Sequence, residues 1–134
     1  MNFSITSQKK DGYLLIESKG IVENAEELIA HSRVVYDEIG KYSFDKILVS
    51  EPELHLPLDL VSHFNLVKNY TNEFPAEIRK FKIVVVVADS YKEVAASWES
   101  ICQSRGLQFF AFTSLQDAIN CLINDEVDSI DETF

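Results

Sequence analysis

The sequence predicts an α/β domain of element order ββαβαβαβα, with a mostly parallel five-stranded sheet, an N-terminal antiparallel hairpin and flanking helices. Three observations predict it. The chain opens with two short β-type runs joined through Asp11-Gly12, a hairpin signal rather than a strand–helix start. The run Ile83-Val84-Val85-Val86-Val87-Ala88 shows no alternation, as expected of a central strand covered by helices on both faces. The remaining segments alternate between helical periodicity and short apolar runs, each pair separated by turn residues.

Taken in order, Phe3-Ser4-Ile5-Thr6-Ser7-Gln8 alternates apolar and polar side chains, the period of a strand with one wet face. Lys9-Lys10-Asp11-Gly12 reads as the turn, and Tyr13-Leu14-Leu15-Ile16-Glu17-Ser18 as the second strand. After Gly20, Asn24-Ala25-Glu26-Glu27 offers a capping box, and Leu28, Ile29, Ser32, Val35, Tyr36 and Ile39 fall on one helical stripe that Gly40 ends. Lys46-Ile47-Leu48-Val49-Ser50 is the third strand. The loop Glu51 to Pro57 then leads into a helix whose stripe is Leu60, Val61, Phe64, Val67 and Tyr70, closed by Pro75. Following the fourth strand, Ser90-Tyr91-Lys92-Glu93 is a second capping box. It opens a helix with Val94, Ala95, Trp98, Ile101 and Cys102 inward, and Gly106 suits its left-handed end. Gln108 to Thr113 is the last strand, and Ser114 starts a final helix along Leu115, Ala118, Ile119, Leu122 and Ile123.

With 134 residues, 46% of them hydrophobic, the chain is expected to form one domain over 1–123, followed by an acidic tail over 124–134. The 22 Asp and Glu against 12 Lys and Arg leave a net charge of −10, which repels phosphate backbones and anionic headgroups. Non-specific nucleic-acid binding is thereby excluded. Setting aside Asp125, Glu126, Asp128, Asp131 and Glu132 leaves 17 acids against 12 bases, so half of the excess belongs to the tail. Within that tail, Ile130 and Phe134 leave docking on a partner, or on a second copy as a homodimer, as an alternative to a solvated end. Two cysteines make no disulfide framework, no apolar run reaches the ~18 residues of a membrane span, and the N-terminus lacks signal-peptide regions. A cytoplasmic protein with no membrane insertion is the expectation.

No residue pattern amounts to a catalytic signature. Glu51, Glu53 and His55 alternate in the loop past the third strand, where α/β sheets place ligands, but further metal ligands are lacking and a solvated acidic loop suits the spacing equally. Asp59 and His63 lie four residues apart, close enough for a carboxylate to orient an imidazole, a spacing also ordinary on exposed helix faces. Ser50 and Ser62 sit in no nucleophile elbow, and the four glycines never cluster into a phosphate cradle. No metal or cofactor is expected. Cys102 and Cys121 read as small buried hydrophobes, and His31, beside Glu27 on the first helix, as a surface residue. Phe64, Tyr70, Trp98 and Phe110 supply enough aromatic bulk to line an apolar pocket, or simply to fill a core.

The order ββαβαβαβα, the Gly20 to Ile39 transition, the Lys46 to Ser50 strand and the Ile83 to Ala88 strand followed by Asp89-Ser90 resemble a STAS-type domain of the SpoIIAA-like branch, which is related in fold to the CRAL-TRIO lipid-binding domains. The resemblance covers about Phe3 to Ile123. It implies a small cytoplasmic bacterial regulatory module that engages a protein partner. In anti-anti-sigma members, the helix after the third strand opens with Asp-Ser-Ser-Gly, whose Ser is phosphorylated. This chain has Pro57-Leu58-Asp59-Leu60-Val61-Ser62 there, without the paired Ser or the Gly, and Asp59 falls at or beside the switch position. The expected function is therefore a non-enzymatic interaction module using Glu51, Glu53, His55, Asp59, Ser62 and His63 as its face. The alternative is a carrier or sensor of an apolar, lipid-like molecule held by Phe64, Tyr70, Trp98 and Phe110. A hydrolase built on Asp59 and His63 ranks last.

Overall fold

The computed structural model describes residues 2–56 and 79–123. Within them the chain runs β1 (Phe3–Lys9), β2 (Leu14–Ile21), α1 (Ala25–Gly40), β3 (Lys46–His55), β4 (Lys82–Val87), a 3₁₀ turn (Asp89–Tyr91), α2 (Lys92–Ser104), β5 (Gln108–Phe112) and α3 (Leu115–Ile123). The strands form a single sheet in the order β1-β2-β3-β4-β5, with β1 antiparallel to β2 and every later pair parallel. Each step of the sheet advances in the same direction. Right-handed crossovers made that way return on one face, and α1 and α2 both lie over the face that carries Leu14, Ile16, Ile47, Val49 and Val85. The terminal helix α3 covers the other face, with Ala118 and Leu122 against Leu48, Val84 and Val86. β4 lies between β3 and β5 and is apolar on both sides because helices meet it from both sides. The helix expected over Leu60 to Tyr70 and the acidic tail lie outside the described residues.

Local chemistry accounts for most boundaries. Gly12, with φ of 87°, supplies the left-handed turn residue of the hairpin. Gly20, with φ of 118°, lies so close to β1 that an added Cβ would stand 2.3 Å from the Asn2 carbonyl oxygen and 2.6 Å from Phe3 Cα. Asn24 Oδ1 accepts from the Glu27 amide at 2.9 Å, while Glu27 Oε1 reaches back to the Glu23 amide, one residue before the cap. Gly106, with φ of 81°, ends α2: its amide donates to Gln103 O and the Leu107 amide to Cys102 O, the paired bonds of a Schellman end. Ser114 Oγ caps α3 through the Asp117 amide.

Two expectations about element limits are corrected. The box Ser90-Tyr91-Lys92-Glu93 caps nothing: Asp89–Tyr91 forms a 3₁₀ turn, α2 starts at Lys92, and no side chain bonds its first amides. Tyr91 is used differently. Its hydroxyl accepts from the Leu56 amide at 2.9 Å and donates to the Leu56 carbonyl at 3.0 Å, pinning the end of β3 to the start of α2. Secondly, residues 51–55 are strand rather than loop, because β2 continues past Ser18 and pairs with them: Lys19 with Glu53, Gly20 with Leu54 and Ile21 with His55. Among the described residues no helix is long and apolar enough to cross a membrane.

Candidate functional site

The face of the sheet beneath α1 and α2 is apolar and is not filled by those helices alone. Val35 of α1 and Trp98 of α2 stand on either side of a hollow floored by Ile83, Val85 and Val87 of β4 and by Phe109 of β5. Its volume is about 200 Å³. From Ile83 to Val87 the floor follows β4 for roughly 13 Å at the usual strand rise, so the hollow is elongated along the strands. Leu56 and Tyr91 wall it at the carboxyl ends of the parallel strands, where open α/β sheets place ligands.

The mainly apolar lining includes the polar side chains of His31, Ser32, Tyr36, Glu51, Tyr91 and Gln108, and two of them belong to a polar group that reaches behind the wall. Ser18 of β2, His31 of α1 and Glu51 of β3 come together from three elements. Ser18 Oγ and His31 Nε2 share a hydrogen bond of 2.6 Å, both residues being buried, and Glu51 Oε2 lies 3.9 Å from the same nitrogen. The edge of the Phe3 ring closes on the imidazole, with centroids 5.1 Å apart and planes at 71°. Burial disfavours charge on both titratable groups: it lowers the His31 imidazole to about 4 and pushes the Glu51 carboxyl up to about 8. At neutral pH the pair is therefore a neutral imidazole beside a neutral carboxylic acid. The arrangement is not a nucleophilic relay, because serine and carboxyl approach the same ring nitrogen instead of opposite ones. What it offers chemically is hydrogen bonding at one place in an apolar wall.

A β-bulge explains how Glu51 reaches the interior. Between the pairs Glu17–Ser50 and Lys19–Glu53, β2 spends two steps where β3 spends three, so one extra residue is accommodated around Glu51-Pro52. Proline suits that position because it has no amide to give to a ladder. The alternation then changes phase: Val49 and Glu51 face the helices before the bulge, and Leu54 and Leu56 after it. Glu53 and His55, which a regular strand would place beside Glu51, are exposed instead. The three residues that alternate in the sequence thus do not converge, and no cluster of three His, Cys, Asp or Glu suited to a metal occurs among the described residues.

Other residues singled out in the sequence fall as follows. Trp98 is a wall of the hollow. Phe110 is not, since in a strand it faces away from Phe109; it packs with the α3 core, 5.6 Å below the Lys82 ammonium. Asp59, Ser62, His63, Phe64 and Tyr70 lie outside the described residues. His31 is only 5% exposed and not a surface residue. Its place three residues after Leu28 and four before Val35 puts it on the inward stripe of α1, a signal that was present in the spacing. Cys102 is buried, and burial pushes its thiol up to about 12, leaving it unreactive.

No family model and no curated protein matches the chain. Among solved structures it is similar to an anti-sigma factor antagonist from Mycobacterium paratuberculosis, with a TM-score of 0.57 and 9% identity over 90% of this chain and 93% of that one. A protein from Shewanella loihica described as having a SpoIIAA-like fold aligns over the same shares, with a TM-score of 0.47 and 16% identity. The chain shares the fold of the Mycobacterium paratuberculosis protein, an α/β domain with a five-stranded mixed sheet.

Proposed function

We propose that this chain is a non-enzymatic, cytoplasmic regulatory module of the STAS type that acts by engaging a protein partner. The observation that carries the reading is its fold-level similarity to an anti-sigma factor antagonist across nine-tenths of the chain. We assign the contact face to the outer end of β3, where Glu53 and His55 are exposed, and to Asp59, Ser62 and His63, which follow in the sequence. Glu51 drops out of that face because its carboxyl turns inward. Acidic side chains on such a face would set partner preference and association rate more than affinity. Since Pro57 to Ser62 carries neither the paired serine nor the glycine of the phosphorylated motif, the reading includes no phosphoswitch. The test is affinity capture from the native lysate with wild type and with a Glu53→Lys/Asp59→Lys double variant. Loss of a defined protein from the variant supports the face, and identical captured sets overturn it.

A second reading, a carrier or sensor of a small apolar molecule, is favoured by one specific observation. The hollow of about 200 Å³ is apolar along its floor and walls, and is larger than the roughly 150 Å³ engineered cavity that holds benzene. Saturable ligand binding read from Trp98 tests it.

A further inference from the structure

We infer that the hollow between α1 and α2 selects an uncharged, elongated, mainly apolar molecule with a single hydroxyl or carbonyl head, and that the Glu51 carboxyl is the group that holds this head. The inference rests on the small-molecule reading and adds to it the chemical class of the ligand and the residue that recognises it. Three observations carry it.

The first is hydrogen-bond bookkeeping around the polar group. Ser18 and His31 satisfy one another at 2.6 Å, and the Tyr91 hydroxyl is engaged by both polar atoms of the Leu56 backbone. Glu51 is left over. Its carboxyl lines the hollow, stands at 3.9 Å from His31, beyond hydrogen-bond distance, and makes no hydrogen bond among the described residues. A carboxyl that faces an apolar hollow with no hydrogen-bond partner among the described residues is one that a ligand's hydroxyl or carbonyl can engage. The second observation is the charge of the lining. None of the described residues that line the hollow is Lys or Arg, and burial lowers the His31 imidazole, so among the described residues a ligand carboxylate or phosphate would meet no counter-ion and would lie beside an acid. The third is shape. The floor runs the length of β4 with Glu51 toward its carboxyl end, opposite Val87 in the strand register, which seats a polar head there and an apolar chain along Val85 and Ile83.

Selection by Glu51 is separable from binding as such. Trp98 is the chain's only tryptophan and a wall of the hollow, so its emission reports occupancy. Titration of the full chain at neutral pH with 1-octanol and with octanoate compares two probes of equal chain length and different heads. We expect saturable binding of one 1-octanol in the micromolar range and octanoate weaker by at least about tenfold, the cost of an unpaired buried charge. Glu51→Gln, which keeps a hydrogen-bonding head, should leave 1-octanol within about threefold of wild type, and Glu51→Leu should weaken it by about three- to tenfold, one hydrogen bond's worth. Native mass spectrometry fixes the stoichiometry, and thermal unfolding of both variants establishes that they are folded. If 1-octanol binds but octanoate binds equally well, or Glu51→Leu leaves 1-octanol unchanged, the assignment of Glu51 is overturned while the small-molecule reading stands. If neither probe saturates, both fall together.

Discussion

Replacing Glu51 by Gln should remove a pH dependence of folding that this one side chain imposes. Burial holds the Glu51 carboxyl at about 8 against an ordinary value of 4.5, so between those limits the folded protein keeps a proton that the unfolded chain releases. In that interval stability falls as pH rises, by about 1.4 kcal/mol per pH unit. His31 acts in the opposite sense. Its imidazole is lowered to about 4 from 6.5, so between those values the unfolded chain binds the extra proton and stability rises with pH. From about pH 4.5 to 6.5 the two slopes cancel, and from about 6.5 to 8 Glu51 acts alone, lowering the unfolding free energy by about 2 kcal/mol. The glutamine variant keeps the shape and loses the titration. Urea unfolding of both proteins at half-unit steps from about pH 5.5 to 9, read as midpoint times slope, gives the difference directly. Because the variant keeps His31, it rises with pH up to about 6.5 where the wild type is level, so the wild-type curve should descend relative to the variant from the lowest pH of the series and run parallel to it beyond about pH 8.5. Curves that stay parallel throughout would refute the placement of Glu51 in a desolvated wall.

Gly20→Ala should destabilise the fold by more than about 2 kcal/mol in denaturant unfolding, because a Cβ at φ 118° would collide with the Asn2 carbonyl oxygen and with Phe3 Cα at the start of β1; a neutral result contradicts that close approach. Tyr91→Phe removes the hydroxyl that both accepts from and donates to Leu56, so amide hydrogen exchange at Leu56 should accelerate by about tenfold while the α3 amides are unaffected. Asn24→Ala should cost about 1 kcal/mol through the lost bond to the Glu27 amide, with Asn24→Ser restoring most of it.

The legible parts of the fold are those written in short windows of sequence. The hairpin needs only Asp11-Gly12 between two β-type runs, the first helix only the Asn24 cap and a 3.6-residue stripe, and the central position of β4 only an apolar run without alternation. The site was less legible. Pro52 lies in the segment expected as the loop Glu51 to Pro57, yet it stands at the bulge of a continuing strand. His31 was read by its polarity and by Glu27 beside it rather than by its spacing, and Ser18 carried no signal at all. Phe109 and Phe110 are indistinguishable by composition, and only the phase of β5 sends one to the hollow and the other to the α3 core.

By itself the sequence determined the element types, their order and the acidic charge, since periodicity, capping and turn chemistry act between residues a few positions apart. Tertiary structure alone decided that Glu51 faces inward while Glu53 and His55 face out, because the phase of a bulged strand is set by the partner with which it pairs. It also decided that the Glu51 carboxyl is raised and the His31 imidazole lowered from their ordinary values. Charge is governed by desolvation, and the groups that exclude water from this pair come from β2, α1 and β3, distant in the chain and adjacent only once the sheet has formed.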